Sequence, residues 1–297
     1  MPGFAAIEPL AAEVRRVLKR YGVEDRFLRF GGPGAPPDKK PRAPTDARSE
    51  FLANRAMGDW AEGVLSAAID AQLPGVKAVH YGDADRIAAG HEGFADFYIG
   101  RLEGVRIHGK RPDLLVVPAN LDTARDVSAI TTPELADLVR AAHYAIEVRS
   151  SKFEANRYME VKRQRSRTGI VAPGESLSFT VKVEDLIIVY RWMQNYNCKQ
   201  IYAQVFFDSV HAINFERIFG IIASGEGFSI ETPAKSQQKA TIMIPIGSGL
   251  QIGTFHDLPD FTVEHRITQL GRHDAFVKPV GGRLELIPDA LRTIVGN

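Results

Sequence analysis

Apolar residues recur at helical spacing at Ile7, Leu10, Ala11, Val14, Val17, Leu18 and Tyr21, with Arg15, Arg16, Lys19 and Arg20 mostly on the other face. The pattern predicts an amphipathic helix packed on a core. A second, broader apolar face runs through Phe51, Leu52, Met57, Trp60, Ala61, Val64, Leu65, Ala68 and Ile69 and stops at Pro74-Gly75, which predicts a helix over residues 50–73. Further on the period shortens. Residues 76–81, 94–102 and 110–117 read as strands of an antiparallel meander, punctuated by Gly82, Gly90, Gly93, Gly100, Gly104 and Gly109. A loop over 118–126 leads to a short helix with Thr132 as N-cap and Pro133 at its first position, and then to a strand from Tyr144. Strands are expected over 177–183, 201–207 and 241–246, with helices over 183–196 and 215–223, the latter ending at Gly225. Short strand-like runs and a helix begun by Pro288 complete the chain. This order argues for an α/β core sheet flanked by helices, with further elements appended at the C-terminus.

Composition narrows the options. The 297 residues suffice for one large domain or two modest ones, and 44% apolar and 25% charged residues are ordinary for a globular protein. A net charge of +1 means that only local clustering could build a nucleic-acid surface. The one cysteine, Cys198, excludes an intrachain disulfide and a multi-cysteine zinc site, in keeping with a reducing cytoplasm. A secretory-signal pattern and a stretch of spanning length are both lacking, so no membrane association is expected.

Two of the apolar runs each carry an acid: Asp113 in Lys110-Arg111-Pro112-Asp113-Leu114-Leu115-Val116-Val117, and Glu147 in Tyr144-Ala145-Ile146-Glu147-Val148-Arg149-Ser150-Ser151-Lys152. A carboxylate in a buried strand is costly unless a positive charge compensates it. Two of them suggest a divalent cation held between strand ends, with the oxygen ligands that magnesium prefers. The other reading is a metal-free domain in which these acids pair with arginines such as Arg111 or Arg140. Glu62, beside the apolar stripe of its helix, is either a solvated edge residue or a third carboxylate at the same site. After Ser151 the chain turns basic: Lys152, Arg157, Lys162, Arg163, Arg165 and Arg167 stand against Glu154 and Glu160, interleaved with Asn156, Tyr158 and Gln164. Such runs are often solvated faces. Here the mixture of Arg, Asn and Gln is also the set that reads guanine and adenine edges, and it directly follows the acidic strand, so a contact with DNA is expected. The Pro- and Gly-rich segment 31–48, with Lys39, Lys40, Arg42 and Arg48, reads as a linker or as a basic arm on a phosphate backbone. The histidines lack close metal-ligand spacing, and Gly247-Ser248-Gly249 lacks the strand–helix context of a nucleotide loop.

Pro112-Asp113 followed by Glu147-Val148-Arg149 on the next long strand, with Glu62 on a preceding helix, resembles the core of the PD-(D/E)XK nucleases. Glu-Val-Arg-Ser-Ser is similar to the Glu-Val-Lys-Ser-Ser of many type II restriction endonucleases. The run from Ile201 to Phe215, with Gln204-Val205-Phe206-Phe207-Asp208, is similar to enzymes of the AccI type. The resemblance implies a mixed central sheet in a core over 49–225, preceded by a helix and linker over 1–48 and followed by elements over 226–297 that pack on the core or contact DNA. It implies that Asp113, Glu147 and the Val148 carbonyl bind Mg2+, with Glu62 at a second metal or its water shell. It further implies a homodimer cutting a palindromic site in double-stranded DNA, in a prokaryotic cytoplasm shared with a cognate DNA methyltransferase. One position departs from the pattern: Arg149 stands where the family has lysine. Arginine stays protonated and cannot be a general base, though it can neutralise developing phosphate charge. Lys152 and Lys182 are other candidates for that role, and a DNA-binding protein of nuclease fold without cleavage is the alternative.

Overall fold

The computed structural model describes residues 3–31, 49–83, 93–167, 177–231, 240–267 and 271–296. Most of the basic linker therefore lies outside the described residues. The chain opens with α1 (Gly3–Ile7) and α2 (Ala11–Arg20), separated by a 3-10 turn over Glu8–Leu10. The single helix expected over 7–21 is thus interrupted where Pro9 removes a backbone donor. The cations of α2 are spent locally: Arg15 pairs with Asp25 and Arg16 with Glu13, on an exposed face.

Helix α3 (Ser49–Gln72) leads to β1 (Val76–His80), α4 (Phe94–His108), β2 (Leu114–Pro118), α5 (Ala136–Ala141), β3 (Tyr144–Ser150) and α6 (Ala155–Arg167). There follow β4 (Ser178–Lys182), α7 (Val183–Tyr196), β5 (Gln200–Val205), β6 (Ser209–Asn214), α8 (Phe215–Ser224) and β7 (Ser229–Glu231). The last elements are β8 (Thr241–Pro245), β9 (Leu250–Asp257), β10 (Asp260–Ile267), β11 (His273–Val280), β12 (Arg283–Leu286) and α9 (Pro288–Gly296).

Seven strands form one mixed sheet in the order β1-β2-β3-β5-β6-β9-β12, with β3 and β5 parallel and the other neighbours antiparallel. β4, β8 and β7 form a small second sheet, and β10 with β11 a two-stranded ribbon. The central sheet is buried on both faces. Trp60, Leu65 and Ile69 of α3 and Leu291 and Ile294 of α9 cover the face bearing Leu114, Val116, Ile146 and Val148. Leu18, Phe219, Trp192 and Met193 cover the face bearing Leu115, Val117 and Ala145. Burial on both sides explains why β2, and β3 up to Ile146, are continuously apolar in sequence rather than alternating. The protein is a mixed α/β fold with a large central sheet flanked by helices, as expected. Among the described residues no helix is long and apolar enough to cross a membrane.

Two local expectations are corrected, and one segment gains an element. Residues 94–102, read as a strand, form the first part of α4. Gly93 (φ 78°) and Gly109 (φ 86°) lie at its ends in conformations that glycine adopts without strain, so they bound a helix rather than punctuate strands. Thr132 has helical backbone angles and makes no side-chain cap; Glu134 instead bonds the backbone N–H and hydroxyl of Thr131. The basic segment, for which no element was assigned, is the helix α6.

Candidate active site

The pairing of Leu114 with Ile146 in the antiparallel β2–β3 ladder sets Asp113, one residue before β2, across from Glu147. Asp113 Oδ2 accepts the Val148 N–H at 2.7 Å. The Asp113 carbonyl accepts the N–H groups of Tyr81 and Gly82 at 2.9 and 3.1 Å. A Cβ on Gly82 would stand 3.4 Å from Asp113 Oδ1, so the glycine keeps that side of the carboxylate open. Strand alternation turns Ala145, Glu147 and Arg149 to one face. In the parallel β3–β5 ladder, Tyr202 lies beside Glu147 and Gln204 beside Arg149.

Glu147 is almost wholly enclosed, with 3% of its side chain exposed. Its Oε1 accepts Lys110 Nζ and lies 3.1 Å from Arg149 Nη2. Its Oε2 is buried and has no hydrogen-bond partner among the described residues, and the same holds for Gln204 Oε1. Arg149 also donates to Asp185 Oδ2 at 2.8 Å, from the first turn of α7. The Tyr202 hydroxyl donates to the Thr180 carbonyl of β4.

Charge and burial set the titration of this group. Burial, reinforced by the neighbouring Glu147 carboxylate, holds Asp113 well above the usual carboxylate range, and Lys110 and the Val148 N–H only partly oppose this. Burial is the largest single influence on the Lys110 ammonium and lowers its pKa, but the carboxylates of Glu147, Asp185 and Asp113 together outweigh it and the pKa is raised. Arg149 is raised for the same balance of reasons. Glu62 lies at the edge of the site: its Oε2 is 3.8 Å from His80 Nδ1, and its charge adds to the upward pressure on Asp113. The neighbouring Glu62 carboxylate, which favours the protonated ring, in turn raises His80. Asp113, Glu147, Val148 and Arg149 are therefore brought together, with Glu62 nearby. Among the described residues no three His, Cys, Asp or Glu side chains form a ready-made metal cluster. Two adjacent carboxylates, one with an unpartnered buried oxygen, nevertheless match what a hard divalent cation requires.

Arg111 and Arg140, named as possible partners of these acids, are engaged elsewhere. Arg111 stacks on Tyr81 with 4.2 Å to the ring centroid and pairs with Asp83 at 3.1 Å, while Arg140 pairs with Asp137 one helical turn away. Glu147 pairs instead with Lys110 and Arg149, and Asp185 holds the other side of that arginine; neither Lys110 nor Asp185 was singled out in the sequence. Lys110 heads the same run as Asp113, three residues before it, which was a usable signal. Asp185, in the first turn of a separate helix, carried none. Lys182 is exposed at the end of β4, and Asp185, three residues later, is the residue that reaches Arg149.

Helix α6 begins just past the end of β3. Asp208, in the β5–β6 turn, accepts the N–H groups of Ala155 at 2.7 Å and Arg157 at 3.1 Å, capping the helix from outside. Asn156, Arg157, Arg163, Gln164 and Arg165 are exposed along it, as is Lys152 before it; Lys162 is half-buried, and the Arg167 side chain lies outside the described residues. A cleft of about 660 Å³ is lined by Lys152, Arg157, Tyr158 and Lys162, by Phe207 of the β5–β6 turn and by Phe261 of the ribbon.

No curated protein and no solved structure matches the chain. The family model of the AccI restriction endonuclease matches residues 23–173 and 170–297, which takes in both acidic strands, α6 and everything after them. The chain belongs to the AccI restriction endonuclease family, and is thereby a type II restriction endonuclease, a site-specific nuclease of double-stranded DNA.

Proposed function

We propose that this enzyme is Mg2+-dependent and that Asp113, Glu147 and the Val148 carbonyl hold the ion, with Glu62 supporting a second ion or its waters. The observation that carries this reading is the pair of facing carboxylates with Glu147 Oε2 buried and unpartnered. The chemistry such an ion supplies is activation of a water for in-line attack and neutralisation of phosphate charge. The chain's own residues do the rest. Asp113 is fixed by the Val148 N–H, and Glu147 by two cations. Arg149, permanently charged and steadied by Asp185, faces the same side as Glu147 and stabilises negative charge on the phosphate. Its presence where the family has lysine does not argue for lost activity, because Lys110 brings an ammonium to the same carboxylate. Lys152, Asn156, Arg157, Lys162, Arg163, Gln164, Arg165 and Arg167 bind DNA, the cations at phosphates and the amides and arginines at base edges. A homodimer with one site per strand suits a palindromic target, and a cognate methyltransferase protects that target in the host.

The test is incubation with long unmethylated DNA, with Mg2+ or with EDTA, beside an Asp113→Ala variant. Discrete fragments are expected with Mg2+ alone, and none from the variant. Cleavage in EDTA, or by the variant at the wild-type rate, would refute the assignment.

A further inference from the structure

Lys110 owes its place to the helix behind it. Gly109, at φ 86°, passes so close to α7 that a Cβ there would stand 2.3 Å from Trp192 N and 2.5 Å from the Ile188 carbonyl oxygen. The Lys110 N–H donates to that same Ile188 carbonyl at 3.0 Å. The backbone is pinned, and the side chain, 27% exposed, lays its ammonium on Glu147 Oε1. Arg149 is held otherwise. It bridges Glu147 and Asp185, and so keeps an anion when Glu147 is engaged elsewhere. Among the described residues Lys110 forms an ion pair with Glu147 alone.

We infer that Lys110 is the resident counter-ion of Glu147: its ammonium occupies the cation position of the site in the metal-free enzyme, and a divalent cation reaches Glu147 by displacing it. The inference rests on the reading of Glu147 as a metal ligand. Lys110 and Arg149 already share this enclosed carboxylate, and a divalent ion would add a third positive centre whose repulsion at low dielectric drives one of the two side chains away. The lysine is the one able to go. Its stem is four flexible carbons and Glu147 is its one ion-pair partner among the described residues, whereas the arginine is tethered through Asp185. The displacement has a direction. It weakens metal binding by the free enzyme, and a DNA phosphate brought to the carboxylates for cleavage offers the released ammonium a new partner, so metal and DNA reinforce each other's binding.

The experiment is titration of the full-length protein with Mn2+, without DNA, followed by the loss of the free-ion electron paramagnetic resonance signal. Lys110→Met is expected to bind Mn2+ about tenfold more tightly than wild type, or ~1.4 kcal/mol. Lys110→Arg, which restores the charge, should return close to the wild-type affinity. Lys110→Gln carries the same expectation as Lys110→Met should the latter fail to fold. Affinity in the charge-removing variants that is equal to or weaker than wild type overturns the inference. Glu147→Gln separates the two levels: Mn2+ binding as tight as wild type in that variant removes Glu147 from the metal site, and the proposed site falls with it. Weakened binding there, together with no gain in Lys110→Met, leaves the metal site standing and discards only the counter-ion role.

Discussion

His211 lies on β6, its ring edge-on to Phe206 at 5.9 Å between centroids and its backbone paired with Gln204. Burial, opposed only in part by Asp208, pulls its pKa down to about 4 from 6.5. The folded chain thus keeps this ring neutral at pH values where the unfolded chain takes up a proton. The stability this represents is whole above about pH 6.5 and is lost as pH falls from there towards about 4. The full gap corresponds to roughly 3 kcal/mol, of which roughly 2 kcal/mol has gone by about pH 5. His211→Gln removes the titrating group while leaving every other histidine in place, including His80, whose raised pKa acts in the opposite sense. Urea unfolding of both proteins at about pH 7 and about pH 5 should show wild type losing about 2 kcal/mol more than the variant over that interval. Equal losses would refute the claim that enclosure of this ring controls the acid limb of stability.

Three other substitutions test the architecture of the site. Asp185→Asn leaves Arg149 without its second anion, and is expected to lower the cleavage rate at saturating DNA by roughly 10–100-fold with little change in KM; a change confined to KM would show that Asp185 does not position the arginine. Asp208→Ala uncaps α6 and should cost about 1 kcal/mol in urea unfolding, with faster amide exchange in the first turn of that helix. Gly109→Ala forces a side chain onto the α7 backbone at a positive φ and should cost about 3 kcal/mol or more, read as a lowered Tm. Gly104→Ala, where nothing lies within 4 Å of the added carbon, should be neutral or mildly stabilising and serves as its control.

The sheet was readable because its strands are short apolar runs, and each acid within such a run marked itself by its own improbability. Glu147 and Asp113 were found in this way, and the β2–β3 register then placed them opposite one another. Residues 94–102 misled because Gly100 and Gly104 inside α4 look like strand punctuation, while the glycines that mattered, Gly93 and Gly109, act through backbone angles that composition does not reveal. Strand β6 was missed altogether: Ser209–Asn214 mixes Ser, His and Asn with apolar residues, and it is identified as a strand only by its pairing with β5 and β9. The cations beside Glu147 were half legible. Arg149 follows from alternation along one strand and Lys110 stands in the same run as Asp113, whereas the anion that steadies the arginine, Asp185, depends on how a helix packs over that strand, which no local pattern encodes.

Helix α7 places both cations, Arg149 and Lys110. Asp185 in its first turn sets the arginine, and the Ile188 carbonyl less than one turn later fixes the backbone that carries the lysine. The spacing between the two positive groups is therefore measured off a single rigid rod, not off two independent loops. A transplant of this catalytic centre into another scaffold would have to bring that rod with it, since the acid-bearing strands alone would arrive with their cations unaligned.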